Sequence, residues 1–564
     1  MTKFIHLRSL DCILLIWLLS GLTGSGQTSP ASNRADVDIP HLRKQGTATQ
    51  LIVDGKPFLM LAGELGNNTA TNQEYMTRMW PKITETKLNS VLAAVSWAQI
   101  EPAEGKFDFS ALDGAIQGAR WNNLRMALLW FGSWKNGHST YAPNWVKRDY
   151  KRFPRVQNQE GKSVEVLTPF SNENRDADAQ AFAALMKHVK AVDGQKHTVI
   201  MVQVENEIFG RDRSPLATKA YGEPVPDTLI NYLMSHKDTL IPELLAVWEA
   251  AGFKTSGTWE EVFGKGVAAD EVFMAWRFSS YVGRIAELGK AEYPLPMFVN
   301  SWGWAFPKEG QNTNGAPMSD VFDIWRAGAP KIDFICPDIY DADYAQSCAL
   351  YTRGGNPLFI PETRGFPPNN LGVRVLYAFG RHDAIGLSPM GIERPAKPDP
   401  YLVSAYEVIA QLAPIISAHQ GDGTMTAVLI GADDKPQKVK VGDYTLEVSY
   451  IKPRVQPPMP QPQPPFPNAA AIIIQTGPEE FYAAGTGVNV KFASNLPGPP
   501  NVGLATVEEG VFVNGQWMPG RPLAGDDTGD NSLVLPRLLE DPDRPALFGP
   551  SQKGIQRVTL YRYE

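Results

Sequence analysis

The feature that most constrains the fold of this chain is a rhythm that repeats from about residue 50: a short apolar run, a polar exit, then an amphipathic segment. Eight such runs predict strands at 58–62, 90–95, 125–130, 198–204, 296–300, 332–335, 357–360 and 384–387. Several of the helices between them begin with Asp or Asn, which favour the cap position. Eight strands alternating with helices predict an α/β fold, a (β/α)8 TIM barrel over residues 46–417. An open doubly wound sheet is disfavoured, because no G-x-G-x-x-G follows the first strand.

The sequence beyond residue 417 has a different texture. Gly-rich turns separate runs with alternating apolar residues, which predicts antiparallel β structure. Residues 453–467 are proline-rich and predict a polyproline-like loop, since proline cannot occupy a central strand. We therefore expect residues 418–564 to form a smaller, all-β, sandwich-like accessory domain.

The first residues have the layout of a secretory signal peptide. Lys3 and Arg8 precede an apolar run that ends at Leu19, and small residues follow as far as Gly26. The run is shorter than a spanning helix needs, although an uncleaved anchor stays an alternative. We expect residues 1–26 to be removed, residues 27–45 to be a disordered lead-in, and the protein to be exported, periplasmic or secreted, without membrane association after cleavage.

The charge balance limits the partners. The formal net charge is −7, and neither a nucleic acid nor an anionic membrane is expected, since both require concentrated Lys and Arg. No metal or other cofactor is expected, because none of the 8 His residues shows a ligand-like spacing with a carboxylate. Cys336 and Cys348 could pair in an exported protein, but two buried thiols are favoured. The oligomeric state is open, a homo-oligomer included.

The most informative stretch runs from Val199 to Gly210. It is apolar at first, turns polar at Gln203, and ends in Glu205-Asn206-Glu207. Buried carboxylates are costly unless they are paired or used, and catalytic groups lie at the carboxyl ends of barrel strands. We interpret Glu207 as a catalytic acid. Glu205 is the alternative, since strand alternation would place both on one face.

A second carboxylate, Glu362, ends the seventh predicted strand. Barrel closure would bring the ends of strands four and seven to opposite sides of one cleft. Two carboxyl groups placed so can break a glycosidic bond, with one as acid and the other as nucleophile. Asn206 is predicted to bind a sugar hydroxyl, and Arg364 or Tyr340 to keep Glu362 ionised.

Aromatic side chains follow several of the predicted strands and suit a saccharide, because indole rings stack on the apolar faces of sugars. The predicted substrate contacts are Trp97, Trp130, Trp302 and Tyr340, together with the carboxylate of Glu64. For the tryptophans the alternative is core packing, and for Glu64 it is a structural ion pair.

Three motifs in the predicted barrel and one in the tail carry a resemblance to a known family. Gln203-Val-Glu-Asn-Glu-Ile-Phe-Gly210 resembles the acid/base motif of glycoside hydrolase family 35, a barrel hydrolase of clan A. The segments 53–64 and 88–109 are similar to its first two strands, and 474–481 resembles the β domain of uncharacterised function that trails a bacterial subset. The resemblance implies Glu207 as acid/base, Glu362 as nucleophile, retention of configuration, and β-galactosides as substrates.

Two departures from that family weaken the sugar assignment. Glu362 stands in Pro361-Glu-Thr-Arg364, and strand three ends in Trp134-Lys-Asn136 without the acidic galactose contact of the family. The expectation is an exo-acting, retaining β-galactosidase that acts on oligosaccharides, those from plant cell walls among them. Another β-glycosidase, such as a β-glucosidase or an arabinosidase, is the first alternative. A catalytically inactive carbohydrate-binding barrel is the second.

Overall fold

The chain enters the barrel through three antiparallel strands, β1 (His41–Gln45), β2 (Ala48–Val53) and β3 (Lys56–Pro57). The computed structural model describes residues 39–302, 314–340, 343–364, 371–431, 433–451, 468–528, 531–535 and 554–564. β1 pairs with β2 along its whole length, so the prediction that residues 41–45 are disordered is wrong. Residues 1–38, which include the predicted signal peptide, lie outside the described residues.

The eight predicted strands are confirmed and form one parallel ring. The ring consists of β4 (Met60–Glu64), β5 (Ser90–Ser96), β6 (Arg125–Lys135), β9 (Val199–Asn206), β10 (Met297–Ser301), β11 (Phe334–Pro337), β12 (Phe359–Thr363) and β13 (Gly386–Pro389). Between β6 and β9 in the chain, β7 (Arg155–Gln157) and β8 (Ser163–Leu167) form a separate hairpin. The ring order is β11-β10-β9-β6-β5-β4-β13-β12, and a parallel bridge between Ile339 and Thr363 connects its two ends.

The barrel interior is a packed core. Alternate residues of each strand point inward, as the two-residue period of a strand requires, and fill the centre with side chains such as Ala62, Leu129 and Phe298. Leu51 and Val53 of β2 belong to the same cluster, so the entry strands cover one end of the barrel. The opposite end is left for the polar side chains at the carboxyl ends of the strands.

Helices surround the ring. In chain order they are α1 (Gln73–Glu85), α2 (Trp97–Ile100), α3 (Ser110–Trp121), α4 (Asn144–Arg148), α5 (Asn172–Asp193), α6 (Pro215–Tyr221), α7 (Asp227–Ser235), α8 (Pro242–Ala250), α9 (Trp259–Phe263), α10 (Val267–Glu292), α11 (Phe322–Gly328), α12 (Tyr344–Tyr351), α13 (Leu371–His382) and α14 (Pro400–His419). The stretch between Asp227 and Ala250 holds two α-helices, and Pro242, which suits only a first turn, starts the second of them.

The predicted sandwich is confirmed. Its strands are β14 (Met425–Gly431), β15 (Gln437–Val441), β16 (Tyr444–Tyr450), β17 (Asn468–Gln475), β18 (Glu480–Thr486), β19 (Val488–Ser494), β20 (Asn501–Val513), β21 (Gln516–Leu523), β22 (Leu533–Leu535) and β23 (Ile555–Tyr563). They form a six-stranded and a four-stranded sheet around a shared apolar core. The whole of the predicted proline-rich loop, 453–467, lies outside the described residues.

The barrel and the sandwich pack as one body. α13 lies against β14 and β17, and Ile472 and Ala427 of these strands join the core cluster of the barrel helices. Among the described residues, α14 has the length and apolar composition of a membrane span. It packs against α13 and the sandwich strands, as a core helix does.

Candidate active site

The carboxyl end of β9 departs from strand geometry. Glu205 and Glu207 have φ values of 64° and 43°, a left-handed conformation that residues with a Cβ rarely adopt. Glu205 is fully buried, and its two carboxylate oxygens accept the backbone N–H groups of Ser133 and Trp134. The alternative that Glu205 is the acid is therefore wrong, because its carboxylate is occupied by the wall of the barrel.

Glu207 lies in the cleft above the barrel core. Its side chain is nearly buried, and its backbone N–H donates to Oδ1 of Asn300 at 3.0 Å. Burial, followed by the charge of Glu362, raises the pKa of Glu207 to about 7. A carboxyl group with such a pKa carries a proton near neutral pH, which a general acid requires.

Glu362 receives several donors. Tyr340 Oη donates to its Oε2 at 2.7 Å, and Asn206 Nδ2 and Asn300 Nδ2 approach Oε1 at 3.1 and 3.4 Å. β12 changes register against β13 between Ile360 and Thr363, beside this residue. A carboxylate held by such donors is oriented and is offset in charge. Tyr340 therefore lies where the sequence predicts it.

Lys135 is a site residue that the sequence reasoning missed. Its Nζ donates to Oδ1 of Asn206 at 2.7 Å and lies 4.0 Å from Oε1 of Glu362, while the side chain is 7% exposed. Asn206 thus connects the lysine to Glu362. Lys135 is the last residue of β6, the strand that lacks the expected acidic contact. Its place at the end of a barrel strand is the sequence signal that could have identified it as a site residue.

Two further carboxyl groups line the floor. Asp338 follows β11, and its Oδ2 accepts from Asn300 Nδ2 at 2.8 Å. Glu64 ends β4, is fully buried, and has no hydrogen-bond donor on either oxygen among the described residues. Burial and the charge of Glu362 raise the pKa values of both groups well above the ordinary range. The unpaired oxygens of Glu64 on the floor of the cleft suit a ligand that brings hydroxyl groups.

Glu207, Asp338 and Glu362 each place a carboxyl oxygen within 4.8 Å of the other two. Distances alone would allow a cation between them. Asn300 and Tyr340 already donate to this cluster, and Lys135 already lies beside it. We interpret it as a proton-sharing cluster.

Two predicted substrate contacts are wrong. Trp97 and Trp130 are fully buried, and their indole N–H groups donate to Glu101 and Asp178. They therefore pack between strands and helices, the alternative that the sequence left open.

The other two candidates lie at the rim. Trp302 is 55% exposed and meets Phe209 edge to face at 5.9 Å. The guanidinium of Arg364 lies over the ring of Tyr340, 5.6 Å from its centroid, rather than on Glu362.

Cys336 and Cys348 are free, buried thiols, so the favoured reading of the cysteines is confirmed.

Comparisons with known proteins add a family signal. Residues 68–262 match a glycoside hydrolase family 42 model described as beta-galactosidase, and residues 402–534 match a domain of unknown function (DUF5597). The first match contains Glu207 and ends before Glu362. The barrel therefore contains a region like that of beta-galactosidase glycoside hydrolases.

The curated relatives share only part of their length with this chain. Beta-galactosidase 13 of Arabidopsis thaliana is 25% identical over 223 residues, which is 37% of this chain and 24% of the relative. Beta-galactosidase 11 of the same plant is 25% identical over 177 residues, 29% of this chain and 19% of the relative. The chain thus spans about a quarter of these relatives or less.

Solved structures with a similar chain path include beta-galactosidase from Bacillus circulans sp. alkalophilus. It is 16% identical, with 64% of this chain and 57% of that chain covered, at a TM-score of 0.44. The catalytic domain of beta-amylase from Paenibacillus polymyxa is 10% identical, with 62% and 97% covered, at a TM-score of 0.43.

Proposed function

We propose that the chain is a retaining, exo-acting β-galactosidase that hydrolyses terminal β-galactosyl residues of oligosaccharides. The observation that carries the proposal is the pair Glu207 and Glu362, which lie at the carboxyl ends of β9 and β12 with carboxyl oxygens within 4.8 Å of each other. Retaining enzymes place their two carboxyl groups ~5–5.5 Å apart, and inverting enzymes ~6.5–9.5 Å apart to admit water. The short separation supports retention.

The surroundings of the two groups support different roles. Glu207 is protonated near neutral pH, because burial raises its pKa to about 7. Its proton passes to the glycosidic oxygen while an oxygen of Glu362 forms a bond to the anomeric carbon. Glu207, now ionised, then takes a proton from a water molecule that displaces Glu362.

The identity of the sugar is the finer part of the proposal. The motifs that resemble family 35 and the beta-galactosidase family match support galactose. Lys135 on the third barrel strand departs from the acidic contact of family 35 and keeps another β-glycosidase as the second candidate.

The test is hydrolysis of nitrophenyl β-glycosides of galactose, glucose and xylose and of the α-arabinofuranoside by the full-length protein. We expect the galactoside to have the highest kcat/KM, and Glu362→Gln to lose turnover while its thermal unfolding stays near that of the wild type. Preference for another sugar would replace the substrate assignment. No hydrolysis of any glycoside would instead favour a binding barrel, and full activity of Glu362→Gln would remove its role as nucleophile.

A further inference from the structure

Asp338 occupies a fixed place beside Glu207. Phe334 and Cys336 of β11 belong to the barrel interior, and Asp338 continues their inward alternation just beyond the strand. Its backbone N–H donates to the carbonyl of Ser301 at 2.9 Å, and its side chain is 6% exposed. The carboxyl group therefore has little freedom to leave the cleft floor.

One amide side chain holds Asp338 and Glu207 together. Asn300 donates through Nδ2 to Oδ2 of Asp338 at 2.8 Å, and accepts through Oδ1 from the backbone N–H of Glu207 at 3.0 Å. Oδ1 of Asp338 meets no N–H or hydroxyl donor among the described residues. The carboxyl oxygens of Asp338 and Glu207 lie within 4.8 Å of each other, so the two carboxyl groups are close enough to interact directly.

At least one of these two groups carries a proton. Their carboxyl oxygens lie within 4.8 Å of each other, where two ionised groups would repel, and burial, followed by the charge of Glu362, raises the pKa of both. The other titratable groups around them are Glu64, Lys135, Cys336, Tyr340 and Glu362. Lys135, whose Nζ lies 4.0 Å from Oε1 of Glu362, is the cation among these five groups. A further negative charge at Asp338 would be unfavourable in this setting.

We propose that Asp338 stays protonated throughout the catalytic cycle and donates its O–H to Glu207 whenever Glu207 is ionised. The inference rests on the proposed function. Asp338 touches no reacting atom in this scheme, so it is a positioning residue that acts through Glu207.

The proton account closes in both halves of the reaction. In the first half the O–H bond of Glu207 breaks and its proton goes to the leaving oxygen, which keeps the electrons of the broken bond to the anomeric carbon. Glu362 supplies the electron pair for the new bond, and the Asp338 O–H stabilises the carboxylate left on Glu207. In the second half Glu207 regains a proton from water, whose oxygen displaces Glu362, and the proton of Asp338 never leaves.

The experiment compares Asp338→Asn with Asp338→Leu by pH profiles on an aryl β-galactoside. Asn is neutral and still donates, so we expect the basic limb of kcat/KM to stay within ~0.5 pH unit of the wild type. Leu removes the donor, which raises the pKa of Glu207 and, at a given pH, leaves less of it ionised to act as the base in the second half of the reaction. We expect its basic limb to move up by ~1 pH unit, and kcat and KM to fall together about tenfold, because the glycosyl-enzyme accumulates.

Three results would overturn the proposal. A basic limb that moves down by a unit in Asp338→Asn would mean that Asp338 is charged in the wild type. Profiles of both variants that coincide with the wild type would mean that Asp338 does not act on Glu207. If Asp338→Leu does not fold, infrared difference spectra decide instead. At pH 8 the wild type minus Asp338→Asn must show a protonated carboxyl band, and its absence contradicts the proposal. Failure of the proposed function is recognised separately, by a wild type that hydrolyses none of the glycosides.

Discussion

Two glutamates of identical chemistry receive opposite treatment from their neighbours. Glu362 accepts hydrogen bonds from Tyr340 and Asn206, whereas Glu207 is buried beside Glu362 and has Asp338 as a neighbour. Donors favour the charged form of a carboxyl group, and burial next to a negative charge favours the neutral form. The division of labour between acid and nucleophile therefore follows from the environments of the two side chains.

This environment predicts a pH limit at the residue scale. The pKa of Glu207 is raised to about 7, and the acid must be protonated to act, so kcat/KM should fall about tenfold per pH unit above that value. Glu207→Gln should remove this limb and slow hydrolysis of an oligosaccharide by ~10²–10⁴-fold. Azide should restore turnover of an aryl glycoside by this variant, because it attacks without a general base. An unchanged basic limb in the variant would contradict the assignment.

At the scale of the element, the eight barrel strands were readable because each is a continuous apolar run with a polar exit. The end of β9 was not, since alternation would place Glu205 beside Glu207 in the cleft. Two left-handed residues without a glycine turn Glu205 into the wall, and nothing in the sequence signals them. Trp97 and Trp130 fail for a related reason, because position along a strand does not say which partner an indole N–H will find.

A buried carboxyl group also anchors the described segment that begins at Asn314. Glu271 of α10 is fully buried and accepts the backbone N–H groups of Asn314 and Gly315 at 2.8 and 2.9 Å. The carbonyl of Asn314 accepts in turn from the N–H of Gly210, shortly after Glu207. Burial is the main cause that raises the pKa of Glu271 to about 7.

Stability should therefore depend on pH through Glu271. The pKa of Glu271 is higher in the folded than in the unfolded protein, so the group contributes its full stabilisation below its unfolded pKa. This contribution is lost as pH rises through about 7. Relative to the wild type, Glu271→Gln should gain about 3 kcal/mol of unfolding free energy between pH 4.5 and 8. Denaturant unfolding at several pH values measures it, with Glu287→Gln on the exposed face of the same helix as control. A difference that does not change with pH would refute the linkage.

At the scale of the whole molecule, the barrel and the sandwich share a core through α13. A Cβ on Gly380 would lie 2.7 Å from Cγ1 of Ile472 and 2.8 Å from Cβ of Ala427, so the helix approaches the sheet closely only because this residue is glycine. The sequence predicts the barrel and the antiparallel sheets, but their shared packing depends on residues far apart in the chain.

The same substitution in two helices tests this packing. Gly380→Ala should destabilise the described unit by ~1–3 kcal/mol, because the new methyl group meets packed side chains. Gly114→Ala in α3, where the nearest atom is Cδ of Gln73 at 3.2 Å on a side chain that can move, should be neutral or stabilise by up to ~1 kcal/mol. Thermal unfolding of both variants measures the difference. Equal effects would mean that the approach of α13 to the sheet contributes nothing to stability.

The central claim is that Glu362 becomes covalently bonded to the sugar. The most direct measurement is mass spectrometry of peptides after incubation with an activated 2-deoxy-2-fluoro-β-galactoside, a substrate whose glycosyl-enzyme breaks down slowly. The account predicts one added fluorosugar on the peptide that contains Glu362, and none in Glu362→Gln. A label on another carboxylate, or an active enzyme that releases product of inverted configuration without any label, would contradict it.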